Sequence, residues 1–231
     1  MLIHLQLVLA MLFYGVSFVS TKVVLTAFGP LTILWVRLLL SSVFLTVLDA
    51  TLRARTSRSP AVDSASPILR RWPLRSDLPS LALVTLFQPL LYFVAENIGL
   101  QYVSASIASI IIATIPVFTP VLARPFLGER VGPLTILGLV LSLAGVAAIV
   151  FERQLEAQYT PAGLALVFVA VLAAVGYSVA VKRVSERYRP LTIVKIQSLV
   201  GLPVILAAAL IAEGLPRSLP EPVVLGHLIY L

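Results

Sequence analysis

Seven apolar runs, each about as long as a bilayer is thick, constrain this chain more than any other feature. A hydrocarbon core needs about 20 mostly apolar residues per crossing helix. Such runs fall at Leu2–Phe28, Leu31–Leu52, Ser80–Leu100, Val103–Leu127, Val131–Phe151, Pro161–Val181 and Leu191–Ala212. Pro222–Leu231 begins an eighth. A spanning β-barrel would need strands of alternating character, and stretches such as Ile107–Ile112 do not alternate. The expected fold is all-α and polytopic. Composition leads the same way: 59% of residues are hydrophobic and 12% charged, against about 25% charged in soluble domains. That excludes a disordered chain or an ordinary soluble enzyme, and the lack of cysteine excludes a disulfide scaffold. The net charge of +7 would suggest nucleic acid in a soluble protein, but a chain this apolar is not expected to bind it.

The charge is better read as a topology signal. Arg53, Arg55, Arg58, Arg70, Arg71 and Arg75 follow span 2. Arg124 and Arg130 follow span 4, and Lys182, Arg183, Arg187 and Arg189 follow span 6. The other side holds only Arg153 and Arg217. The N-terminus is therefore expected in the cytoplasm of a plasma membrane (the bacterial inner membrane), with residues 53–79 as a solvated cytoplasmic link. The first run has no basic leader and no A-x-A-like site, so it reads as a permanent helix rather than a signal peptide.

Pro30-Leu31-Thr32-Ile33 opens span 2, and Pro190-Leu191-Thr192-Ile193 opens span 7, 160 residues later. The same tetrapeptide at Pro133–Ile136 shows that it partly reports helix-start chemistry, since proline suits a first turn. A tyrosine followed by a basic residue precedes both, Tyr14 to Lys22 and Tyr177 to Arg183. An offset of five helices is odd, so the second unit would enter the membrane from the opposite side. Such inverted repeats are common in secondary transporters.

These segments resemble the drug/metabolite transporter superfamily, specifically EamA-type permeases. The resemblance rests on Tyr14-Gly15-Val16-Ser17-Phe18, on Pro30-Leu31-Thr32 leading to Arg37-Leu38-Leu39, and on Glu96 through Tyr102. Ser104 through Ser109, Pro116-Val117-Phe118, Leu127-Gly128-Glu129-Arg130 and Gly138 through Val146 extend it. It implies two five-helix repeats, 1–155 and 156–231, the second stopping within helix 8, so that about seven and a half of ten helices are present. A truncated or partial frame is expected. It also implies alternating-access transport of small metabolites or drugs, with a small-molecule substrate, the lipid bilayer and a coupling ion as partners.

Thr85, Gln88, Tyr92 and Glu96 are spaced to share one helix face. That stripe fits either a wet cavity or interhelical hydrogen bonds. Glu96, Arg37 and Lys22 all fall roughly 6–9 Å below one surface. They form either a static ion cluster or a coupling centre in which Glu96 pairs with Arg37; Lys22 can instead snorkel. Ser109 lies on a small-residue face with Ala105 and Ala113, and Pro116 and Pro89 fall near midplanes, where kinks accompany binding sites or simply bend helices. Tyr14, Ser17, Asn97 and Tyr177 complete the candidate cavity set, with Gln197 and Ser198 as further polar positions.

No catalytic residue, metal site or cofactor is expected. His4 and His227 have no nearby carboxylate cluster, and no phosphate loop or D-x-x-D pair is present. The competing reading is a membrane lipid-handling enzyme or accessory subunit without a transport cycle.

Overall fold

Proline opens most of the helices, because the first turn has no use for its missing N–H. In the computed structural model, residues 2–56, 73–120, 132–134, 136–138, 140–141, 144–145, 159–214 and 220–231 are described. The helices are α1 (Leu2–Val24), α2 (Pro30–Thr56), α3 (Leu78–Thr85), α4 (Tyr92–Tyr102), α5 (Ala105–Ile112), α6 (Pro161–Ser185), α7 (Pro190–Ala212) and α8 (Pro222–Tyr230). Hydroxyl caps set two starts: Ser104 accepts from the Ile107 N–H at 3.3 Å, and Thr160 from the Gly163 N–H at 3.1 Å.

Four segments are long and apolar enough to cross a membrane: Pro30–Thr51, Arg75–Tyr102, Pro161–Ser185 and Pro190–Ala212. Shorter apolar helices run over Leu12–Val24 and Ala105–Pro120. No strand occurs among the described residues. The polytopic all-α fold therefore stands. Span 5 is described only in part, and a Cβ on Gly138 or Gly145 would meet nothing within 4 Å among the described residues. Gly128, Glu129, Arg130, Ser142 and most of the 53–79 link lie outside the described residues.

Three pairings organise the bundle: α4 on α6, α2 on α7, and α1 on α8. Glycine permits the closest approach, and a Cβ on Gly99 would lie 2.9 Å from Val167, one on Gly163 2.6 Å from Tyr102. Leu34, Leu38 and Ile205 fill the α2–α7 seam. Both its ends are tied. The Glu213 carboxylate accepts the N–H groups of Leu31 and Thr32, each at 2.8 Å, capping α2 where its orphan donors and dipole favour an anion. Gly29 leaves room for that carboxylate, which a Cβ would strike. At the other end Lys195 reaches Asp49 at 3.1 Å. The two ties lie roughly 27 Å apart along α2, close to the hydrocarbon thickness.

Candidate functional site

The third span is where the polar chemistry gathers, because its helix is broken. Gln88 takes φ −147° and ψ 121°, an extended conformation inside an otherwise helical segment, and a wide π-helical turn covers Leu86–Leu91. The Gln88–Pro89 peptide is cis. The even stripe expected from Thr85 to Glu96 is consequently split. Thr85 returns its hydroxyl to the Leu81 carbonyl at 2.9 Å, the Gln88 carbonyl turns to α7, and Tyr92 and Glu96 turn to α1 and α2. A regular helix would have kept all four together; residues before and after a break have different phases.

On the α1 side the Tyr92 hydroxyl donates to Glu96 Oε1 at 3.0 Å. The Tyr14 hydroxyl meets that of Tyr92. A phenol has one proton to give, so with Tyr92 committed to Glu96, Tyr14 donates to Tyr92. The result is a relay of hydroxyls from Tyr14, 41% exposed, to Glu96, 6% exposed. Arg37 lies with its guanidinium 4.9 Å from the centre of the Phe93 ring and within electrostatic reach of Glu96, although no direct ion pair joins the two. Lys22, in the last turn of α1, contacts neither among the described residues. Among the described residues, Glu96 and Arg37 stand together without a hydrogen bond or ion pair to Lys22.

On the α7 side, the Gln197 amide donates to the Gln88 carbonyl at 2.5 Å and lies 3.5 Å from that of Val84. Tyr177 of α6 interacts with the same amide. Among the described residues, the remaining candidates make no hydrogen bond to a side chain of either centre. Ser17 bonds the Tyr14 carbonyl and Ser109 the Ser106 carbonyl, each inside its own helix. Pro116 is exposed, and Asn97 is 1% exposed with neither amide atom partnered among the described residues.

Three polar anchors had no signal in spacing. Besides Glu213, Asp77 accepts from the Tyr188 hydroxyl at 2.6 Å and pairs with Arg187 at 2.8 Å, fixing the start of the third span to the α6–α7 turn. Ser20 meets His227 of α8 at 3.1 Å. No group of three metal-ligating side chains occurs among the described residues.

Residues 1–151 match the EamA-like transporter family. The chain is 26% identical, over 81% of its length and 60% of the relative's, to an uncharacterized transporter of Archaeoglobus fulgidus. It is 29% identical to the uncharacterized transporter YcxC of Bacillus subtilis, covering 87% of this chain and 60% of that one. It is 31% identical to a probable terminal-alkyne amino-acid exporter of Streptantibioticus cattleyicolor, covering 81% and 57%. The chain thus spans about 60% of the length of these curated relatives.

Proposed function

The chain belongs to the EamA-like transporter family, and from that premise we propose that it is the core of a proton-coupled exporter of small amphoteric metabolites such as amino acids. The family and its transporter-named relatives point away from an enzyme. The observation that carries the proposal is the Tyr14–Tyr92–Glu96 relay with Arg37 beside it. An ionisable pair inside a membrane bundle is costly and persists where it does work.

Arg37 has the planar donor set suited to a carboxylate. Glu96 can hold either a proton or a substrate ammonium group, and not both. Mutual exclusion at one carboxylate is antiport: a proton entering through the Tyr14–Tyr92 hydroxyls releases the ammonium, and the next substrate displaces the proton. The name of the Streptantibioticus relative supports an amino-acid substrate. Pairing of α4 with α6, of α1 with α8 and of α2 with α7 supports the inverted repeat, since exchanging the two halves maps this pattern onto itself. The excess of basic residues after the even spans supports a cytoplasmic N-terminus in a plasma membrane.

The test uses proteoliposomes holding this chain, loaded with labelled L-amino acids and subjected to a proton gradient. Gradient-driven efflux is expected, and Glu96→Gln, which can neither take the proton nor pair with the ammonium, is expected to abolish the effect of the gradient and to weaken substrate-for-substrate exchange. Efflux that still follows the gradient in Glu96→Gln rejects the coupling role. No flux of any amino acid rejects the function.

A further inference from the structure

We infer that Gln197 is a positioning residue that holds the third span in its broken form and so aims Tyr92 and Glu96 at Tyr14. The importance of that aim rests on the proposed function; the geometry does not.

In a regular helix the Gln88 carbonyl would accept the Tyr92 N–H, four residues on. Here the Tyr92 N–H goes to Phe87, five residues back. Residue 89 is proline and has no N–H to offer the Thr85 carbonyl. The break therefore strips backbone carbonyls of their usual donors, and in an apolar bundle each bare carbonyl is costly. Gln197 supplies the missing donor to Gln88 at 2.5 Å. It is itself only 6% exposed, and Tyr177 interacts with the same amide. Both flanks of the break sit on glycines. The Phe87 ring lies where a Cβ on Gly176 would be, and Pro89 where one on Gly201 would be, at 2.6 Å in each case. Those contacts seat the break but offer its carbonyls no hydrogen bond.

Occupation of the Gln88 carbonyl decides which carbonyl the Tyr92 N–H takes. With Gln197 in place, Tyr92 keeps the wide turn to Phe87. Without it, the bare Gln88 carbonyl draws the Tyr92 N–H back to regular spacing. Closing a wide turn removes one residue of slack, which rotates everything beyond it by about 100°. Tyr92 and Glu96 lie beyond it and would swing off Tyr14.

The test reads Glu96 directly and needs no transport. The full chain in detergent is labelled with dicyclohexylcarbodiimide, and modification of the Glu96 peptide is followed by mass, as a ratio to wild type. Gln197→Leu keeps an apolar side chain in place and loses the donor; its labelling ratio is expected to depart from one by roughly three- to tenfold, the scale of one net hydrogen bond, with helix content unchanged. Gln197→Glu donates only when protonated, so its ratio is expected near one at low pH and to depart as pH rises. A merely space-filling residue would give no such pH dependence. Ratios of one for both folded variants at every pH overturn the inference. Should Gln197→Leu not fold, Gln197→Glu decides alone by the same criterion. Loss of transport in the wild-type chain would sink the proposed function and leave this measurement intact.

Discussion

Arg37 and Gln197 each stand eighth in a helix that begins Pro-Leu-Thr-Ile, yet they do opposite work. Arg37 brings a charge to Phe93 and Glu96; Gln197 spends its amide on a backbone carbonyl. Each is accompanied by a tyrosine from the preceding long helix, Tyr14 or Tyr177. What separates the two centres is the third span, which offers side chains to one and a broken backbone to the other. One scaffold position thus carries a guanidinium beside a carboxylate in one place and an amide on a backbone carbonyl in the other.

Making the centres alike is the strongest way to break this contrast. Arg37→Gln gives the first centre the amide of the second and strands Glu96. Losing the nearby cation leaves the buried carboxylate less compensated, at a cost of about 1–3 kcal/mol, so gradient-driven efflux is expected to fall by roughly 10- to 100-fold in the proteoliposome assay. A fall of less than about threefold would show that Arg37 is not the partner of Glu96.

A comparable effect, on stability, separates the structural centre from an open position. Gly201→Ala forces a Cβ to within 2.6 Å of the Pro89 ring and is expected to destabilise by about 1–3 kcal/mol. Gly15→Ala meets nothing within 4 Å and is expected to be neutral or stabilising by up to about 1 kcal/mol. Unfolding in mixed micelles measures both, and equal midpoints would deny the break its tight seat.

The two tyrosines should differ least. Tyr14→Phe removes the entry to the hydroxyl relay and is expected to slow efflux about five- to tenfold, near 1 kcal/mol. Tyr177→Phe leaves Gln197 still bonded to Gln88 and is expected to stay within about twofold. Reversed effects would transfer the relay to α6.

Much of the scaffold was legible from composition and spacing. Span positions follow from apolar length, and helix starts from proline and hydroxyl caps, which are local properties. Tyr14, Tyr92, Glu96 and Arg37 were legible as polar residues in apolar surroundings. The place of Lys22 was not legible, because equal depth along two helices does not fix the distance between them. Gln197 and Glu213 were hard to read because their partners are backbone groups, which leave no mark in a sequence.

By itself the sequence determined that this chain is a bundle of membrane-length helices, because burying backbone in lipid leaves a long apolar segment little choice but to coil. It also marked the few polar residues that lie inside those apolar segments. Only the tertiary structure decided how those residues divide. The break at Gln88 changes the helix phase, so residues that one regular helix would align are sent to different neighbours. That division depends on which distant donor, here Gln197, reaches the exposed carbonyl.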